Sequence, residues 1–275
     1  MPNSRKNEIF SGWDDVDKKS NAKRHVRYLD GVRRLSPIQS YKKQTFDLLN
    51  IKPGHHILEV GCGTGEDVQA IARLAGREGR VAGVDNSKTM IEQARERAKG
   101  LSLPVEYHLG DAYRLDFADN TFDGCRADRI LQYLEDPGKA LTELYRVARS
   151  GARIVISEPD WETLIIDSPD KELTRRILNF RCDKLQSGWI GRQLPRLLKE
   201  VGLDKIKIIP VTGFFDDYTM ADKMLRLGDS VETAQEAGVI SADEATCWLS
   251  NLEKAGKDGR FFSSATLFII CGEKG

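Results

Sequence analysis

Residues 57–65 read Ile57-Leu58-Glu59-Val60-Gly61-Cys62-Gly63-Thr64-Gly65. An apolar run meets an acidic residue and then three glycines at alternate positions, the pattern of a strand that ends in a turn opening a helix. Glycine tolerates positive φ and lets a ligand approach the backbone with no Cβ in the way. The following helix offers free N–H groups to that ligand. Alone, such a loop is no more than a tight βα turn. Three later features give it a ligand. A second strand, Arg80-Val81-Ala82-Gly83-Val84, ends in Asp85, where a carboxylate is placed to accept the hydroxyls of a ribose. A third, near Val105–Leu109, is followed by Gly110-Asp111-Ala112, and a fourth, Thr121–Arg126, follows the polar turn Asp119-Asn120.

The loop spacing is G-x-G-x-G with Glu66 next, not the G-x-G-x-x-G of dinucleotide folds. That favours a nucleoside with a short, partly anionic tail over a pyrophosphate. Residues 57–65, 81–87, 109–112, 121–134 and 151–158 resemble the successive motifs of class I S-adenosylmethionine (SAM)-dependent methyltransferases. The likeness is nearest to the small-molecule and ubiquinone/menaquinone-type group, strong over residues 45–160 and in outline over 191–271. The resemblance implies SAM as cofactor. It places the Gly61 and Gly63 backbone under the methionine part and Glu59 at the strand end, organising the loop and the amino group. It gives Asp85 the ribose hydroxyls, with Asn86 beside it, Met90 the adenine face, and Asp111 the adenine amino group, with the Ala112 amide nearby. Residues 126–128 would close over the cofactor, which makes Arg126 a cofactor contact. Here the chain departs from the family, because Arg126-Ala127-Asp128-Arg129 is charged where small or apolar residues are common.

The remaining elements follow from periodicity. Val68, Ile71, Ala72 and Ala75 lie at helical spacing after the glycine loop, and Ser87 reads as the N-cap of a helix burying Met90, Ile91, Ala94 and Ala98. Asp136-Pro137 opens a helix burying Leu141, Leu144, Tyr145 and Ala148, with Gly151 after its end. A fifth strand, Ala152–Ser157, is continuously apolar, as in a sheet covered on both faces. A helix over Leu194–Val201, a strand near Lys205–Val211 and a last strand Ala265–Cys271 complete the core. The expected fold is α/β: a Rossmann-like, seven-stranded, mostly parallel sheet with helical insertions forming a lid. In the resembled family the last strand runs antiparallel, between the fifth and sixth. The expected organisation is an N-terminal helical cap (1–45), a SAM-binding core (46–160), a helical insertion (161–190), the core continued (191–213), a second insertion read as two helices (214–260) and the final core strand (261–275). The first insertion has a start signal at Ser168-Pro169. The second insertion's later helix begins with the capping box Ser241-x-x-Glu244 and carries Ala245, Trp248, Leu249 and Leu252 on one face.

The 275 residues carry 42 basic and 42 acidic side chains, a balance that argues against a nucleic-acid partner. The local basic run 18–34 (Lys18, Lys19, Lys23, Arg24, Arg27, Arg33, Arg34) reads as a solvated helix face. Five cysteines at 62, 125, 182, 247 and 271 form no C-x-x-C pair, which predicts neither disulfides nor zinc and makes a reducing cytoplasm the default. Met1–Phe10 is polar and charged, unlike a signal peptide, and no apolar run reaches the length of a membrane span. His25, His55, His56 and His108 do not read as a metal set.

Methyl transfer from a sulfonium is an in-line displacement of an already activated leaving group, so positioning supplies most of the rate enhancement. A general base is needed only if the nucleophile must lose a proton. Candidates sit at strand tips: Asp128 and Arg129 after the fourth, and Glu158, Asp160, Trp161 and Glu162 in the turn expected after the fifth, with Pro159 stiffening it. Glu158 and Asp128 are the candidate catalytic groups, and Asp160 and Trp161 the candidate wall of the acceptor pocket. Tyr28 is a candidate cover over the cofactor. The expected function is methyl transfer to an O, N or C atom of a small organic acceptor. The alternatives are a non-catalytic SAM-binding module, a nucleic-acid methyltransferase (disfavoured by Ala127-Asp128-Arg129-Ile130 where base-amino enzymes carry an Asn/Asp-Pro-Pro-Tyr-like tetrapeptide) and an NAD-dependent reductase, disfavoured by the loop spacing.

Overall fold

The computed structural model describes residues 13, 16–17 and 22–275. Lys18, Lys19 and the Met1–Phe10 segment lie outside the described residues. Seven strands form one sheet: β1 (His56–Val60), β2 (Arg80–Asp85), β3 (Val105–Leu109), β4 (Phe122–Asp128), β5 (Ala148–Ile166), β6 (Leu203–Phe215) and β7 (Ser263–Lys274). Their order is β3-β2-β1-β4-β5-β7-β6. β7 pairs antiparallel with both β5 and β6, and the pairs from β3 to β5 are parallel. The chain reverses direction across the sheet between β1 and β4, so the carboxyl ends of these strands open a crevice there, where ligands of such folds sit.

Successive strand residues face opposite sides, which sorts the core into two layers. Leu58, Val60, Cys125, Ala127, Ile154 and Ile156 pack with α5 (Pro137–Val147) and α7 (Ile190–Glu200). Ile57, Val81, Val155 and Ile269 pack on the other face with α2 (Ser36–Leu49), α3 (Glu66–Ala75) and α4 (Lys88–Ala98). The α3 stripe Val68, Ile71, Ala72 and Ala75 is wholly buried. Ser87 caps α4 by accepting the Met90 N–H, and Asp136 caps α5 by accepting the Lys139 N–H.

Three expectations are corrected. β5 does not end at Ser157. It runs on to Ile166 as a ribbon with β7, and β6 and β7 lengthen with it. Beyond the Ser157↔Asp128 pair β5 has no neighbour on its β4 side, so Pro159, which has no N–H to give, fits in a strand and not a turn. α5 ends at Val147 and β5 begins at once, so Gly151 lies inside the strand. Residues 214–260 hold three helices, α8 (Tyr218–Leu225), α9 (Leu227–Glu236) and α10 (Ala242–Lys257), the first two broken apart at Arg226, whose φ is 55°. The Ser241–Glu244 capping box is formed. With α6 (Lys171–Asp183), these helices bury Leu173, Ile177, Leu225, Val231, Trp248 and Leu252 in a small core of their own against the β5 ribbon.

α1 (Ala22–Val32) ties the two parts together. Arg97 of α4 pairs with Asp30 at 2.9 Å and also with Glu66, which Arg33 contacts as well, while Tyr28 donates to the Met224 carbonyl at 3.3 Å. Further upstream, Asp17 accepts the Ser87 hydroxyl at 2.9 Å and the Lys88 N–H at 2.6 Å, adding an external cap to α4.

Candidate active site

The carboxyl ends of the strands, α1 and α8 enclose a cavity of about 730 Å³, within the range of small-molecule sites. One half lies over β1 and β2. There the turn after Val60 runs Gly61, Gly63 and Gly65 at φ 72°, 51° and 86°. A Cβ at Gly61 would overlap the Ile130 side chain, and one at Gly65 would come within 2.7 Å of the Tyr107 hydroxyl. These two glycines are therefore demanded by the protein's own packing as well as by backbone conformation. Gly63 is different. A Cβ there meets only Leu29 of α1, at 3.3 Å, in the roof of the cavity. Asp85 accepts the Gly63 N–H at 2.8 Å and the Ser87 N–H at 2.9 Å, which fixes its carboxylate at the floor between loop and helix. Burial raises its pKa, against these two bonds. Asn86, Met90, Asp111, Ala112 and Tyr28 also line the cavity, with Trp13 and Val16 above.

The other half lies over β5, β6 and β7 and is mostly apolar. Pro159 and Trp161 face it from β5, and Val211, Gly213 and Phe215 from β6. Each set sits at alternate positions, the pleat at work. The pleat also explains where two candidates went. Glu158 and Asp160 share the face turned away from the cavity and do not line it. Asp160 is 1% exposed and accepts Arg192 Nε at 2.5 Å and Nη2 at 2.7 Å, which locks the start of α7 onto β5. Glu158 is fully buried. Its Oε1 accepts the N–H groups of Ile130 and Leu131 at 2.7 and 2.6 Å, and burial pushes its pKa up to about 8. It is an anchor for the turn after β4 and not a group at the reacting atoms. Trp161 stands in the cavity wall, its indole N–H donating to Gln132 Oε1 at 2.7 Å.

Two further candidates sit behind the wall. Arg126 has no exposed surface, and Glu59 is 2% exposed; neither lines the cavity. They are cross-strand partners in register, Glu59 opposite Arg126, and form an ion pair. Arg126 also meets Asp67 at 3.1 Å, Asp128 Oδ2 at 3.2 Å and, through Nε, Thr45 Oγ1 at 2.8 Å. A strand charge without a partner would cost several kcal/mol; here α2 and α3 supply the partners. The signal was present in the sequence as an acidic residue near the end of β1 and a basic one near the end of β4.

Asp128 does line the cavity. Its Oδ1 accepts the Ser157 hydroxyl at 2.5 Å and its Oδ2 the Tyr41 hydroxyl at 3.2 Å. Burial works against its charge, but Arg126, Lys42 and these bonds outweigh it and hold the carboxyl well below the usual range. A carboxylate so held is a fixed negative charge and a poor proton acceptor. Next to it Arg129 takes φ 56°, a left-handed conformation that costs a bulky residue about 1–2 kcal/mol. Its amide is held by the Ser157 carbonyl at 2.8 Å. Tyr41, Gln132, Tyr133 and Trp13, which periodicity did not single out, also line the cavity. Tyr41 comes from α2, Gln132 and Tyr133 from a 3-10 turn (Leu131–Tyr133) and Trp13 from a turn ahead of α1, and their facing is settled by tertiary packing. Among the described residues no three His, Cys, Asp or Glu side chains are grouped to hold a metal ion.

A methyltransferase-domain family model matches residues 51–202, more than half of the chain. The chain belongs to this methyltransferase family. Its methyl donor is S-adenosylmethionine. The glycine turn, with Asp85 on the floor and Asp111 at the rim, suits such a donor: backbone open to approach at Gly63, and carboxylates facing a cationic nucleoside. Among relatives, an uncharacterized 37.1 kDa protein in transposon TN4556 of Streptomyces fradiae is 39% identical over 249 residues, which span 90% of this chain and 71% of that protein. A demethylmenaquinone methyltransferase of Bacillus cereus is 32% identical over 190 residues, 63% of this chain and 80% of that one. Two solved structures share the fold at low identity. A SAM-dependent methyltransferase of Aquifex aeolicus aligns over 89% of this chain and 96% of its own, with TM-score 0.52 and 19% identity. A Haemonchus contortus phosphoethanolamine N-methyltransferase, solved with phosphomonomethylethanolamine and S-adenosylhomocysteine, aligns over 97% of this chain and 60% of its own, with TM-score 0.59 and 16% identity.

Proposed function

We propose that the protein methylates a small organic molecule, held in the apolar half of the cavity. The observation that carries this reading is the continuity of one deep, partly open cavity from the glycine turn to the Trp161, Val211 and Phe215 wall. A nucleic-acid or protein acceptor would need a broad open face, and here α1 and α8, joined by Tyr28 on the Met224 carbonyl, narrow the access. The likeness to a demethylmenaquinone methyltransferase supports an acceptor with an apolar body.

In this reading Asp85 takes the ribose hydroxyls, Asn86 and Met90 flank the adenine, and Asp111 with the Ala112 amide meets its amino group. Gly61 and Gly63 leave their backbone open beneath the methionine part. Bound there, S-adenosylmethionine supplies a methyl group on a positively charged sulfur. The chain's own part is positional. Asp128, held ionised by Arg126 and Lys42, sets a negative potential beside the cationic centre. Glu158 fixes the Ile130 and Leu131 amides, and so the turn that separates donor from acceptor. Trp161 and its neighbours exclude water. The five cysteines are free thiols, which suits the reducing cytoplasm. Among the described residues no helix is long and apolar enough to cross a membrane.

The test is transfer of labelled methyl from S-adenosylmethionine into a size-fractionated cell extract. Label is expected in the small organic fraction. Label confined to protein or nucleic acid, or donor binding with no transfer to any fraction, would overturn the reading.

A further inference from the structure

The cavity carries one cation with no direct partner in the protein. Arg129 lines it, yet among the described residues its side chain makes no hydrogen bond and no ion pair within 4 Å; its Nε is buried without a partner. The nearest carboxylate, Asp128, acts on it through space but makes no direct contact. Asp128 is already shared among Arg126 Nη2 at 3.2 Å, Lys42 Nζ at 3.7 Å, the Tyr41 hydroxyl and the Ser157 hydroxyl. Glu158, the other acid close by, spends its Oε1 on two backbone amides. A guanidinium always carries its charge, and a buried charge without a counter-ion is costly. Arg129 is also held in a left-handed conformation by its own amide on Ser157 of β5. That bond seats it over β5, the acceptor side, and not over the β1–β2 cradle.

The charges of the cavity are accordingly divided. Asp85 and Asp111 stand on the donor side, Glu135 is exposed at the rim, and Asp128, next to Arg129, is taken up by Arg126 and Lys42 behind the wall. On the acceptor side a second cation, Arg181, lies behind Trp161 with its guanidinium carbon 4.2 Å from the ring centroid. A guanidinium fork matches a planar carboxylate bidentately and gains most where water is excluded.

Resting on the proposed function above, we infer that the acceptor is an organic acid: an apolar body against Trp161 and Phe215, with a carboxylate paired to Arg129. The rival use of this cation, holding the donor's own carboxylate, is separated by experiment. The protein is saturated with S-adenosylhomocysteine and titrated calorimetrically with one- and two-ring aryl carboxylates, 2-naphthoate among them, and with the matching neutral amides. The carboxylates are expected to bind roughly tenfold or more tightly than their amides. Arg129→Gln removes that preference, leaves the affinity for S-adenosylhomocysteine unchanged and leaves Tm close to the parent value, since the side chain makes no direct hydrogen bond or ion pair. Equal binding of acid and amide by the parent, binding of no carboxylate in the panel, or a preference that survives Arg129→Gln overturns the inference. So does a loss of S-adenosylhomocysteine affinity in Arg129→Gln, which would assign the cation to the donor. Failure of the parent to bind S-adenosylhomocysteine at all would instead strike the donor site itself, and the carboxylate comparison would then be read without it.

Discussion

The two halves of the cavity are built by different means. The half proposed for the donor stands on β1 and β2, short strands with turns of a few residues, and its shape is set by local requirements: positive φ at three glycines, a capping serine, one carboxylate bridging loop and helix. The half proposed for the acceptor stands on a long β5–β7–β6 ribbon packed against helices that have their own small core. Its wall is set by strand pleat and by helices distant in sequence. One half is a short motif and the other is a product of assembly.

The sharpest way to break the comparison is to attack the buried charges under the donor half. Arg126→Met leaves Glu59, Asp67 and Asp128 facing one another without their common cation. The expected loss is about 3–5 kcal/mol, on the order of 10 °C in Tm by calorimetry, and S-adenosylhomocysteine affinity falls with it. An unchanged Tm would mean the network does not hold the sheet and α2 together. Gly61→Ala comes next. Its methyl group meets Ile130 at a φ of 72°, so the turn must shift at a cost of about 1–3 kcal/mol. Isothermal titration should show S-adenosylhomocysteine binding weakened by roughly tenfold, with the acceptor half intact. Normal binding would show that the turn is not the cradle.

The smallest effect is pH-dependent and lies on the boundary between the halves. Glu158 has its pKa raised by burial to about 8 from 4.5. The folded state holds this proton more tightly than the unfolded one, so the protein loses stability as pH climbs from about 4.5 through about 8. Glu158→Gln keeps an oxygen for the Ile130 and Leu131 amides and has no charge to bury. Near pH 5 the two proteins should melt alike. By pH 9 the variant should be ahead by on the order of 1–3 kcal/mol, read as a widening Tm difference. A constant difference across that range would show that Glu158 is ionised throughout.

Legibility in the sequence followed the same division. Glu59-Val60-Gly61, the Asp85 strand end and Asp111 announce themselves because glycine conformation, strand ends and helix caps are consequences of a few neighbouring residues. The core strands were legible for the same reason, element by element, while the place of the last one between the fifth and sixth came from the family resemblance. Around Glu158 the reading failed. Ser157-Glu158-Pro159-Asp160-Trp161 carries proline and acids and reads as a turn, yet a strand without a neighbour on one side accepts proline, and its alternate face found Arg192 and two amides for the acids. Arg126 failed differently: the family resemblance puts residues 126–128 over the cofactor, its charge being the departure from that pattern, and only the register with Glu59 and the packing of α2 show that it is paired inside the wall. The break at Arg226 between α8 and α9 rests on a left-handed residue that is not glycine, and no local rule marks it.

The central claim is that the turn after Val60 and the Asp85 carboxylate together form the donor's seat. Calorimetric titration of S-adenosylhomocysteine into the parent protein and into Asp85→Ala, with thermal denaturation to show that both are folded, tests it directly. The account predicts tight binding by the parent and at least a roughly tenfold weaker Kd for the variant; equal affinity in two folded proteins would contradict it.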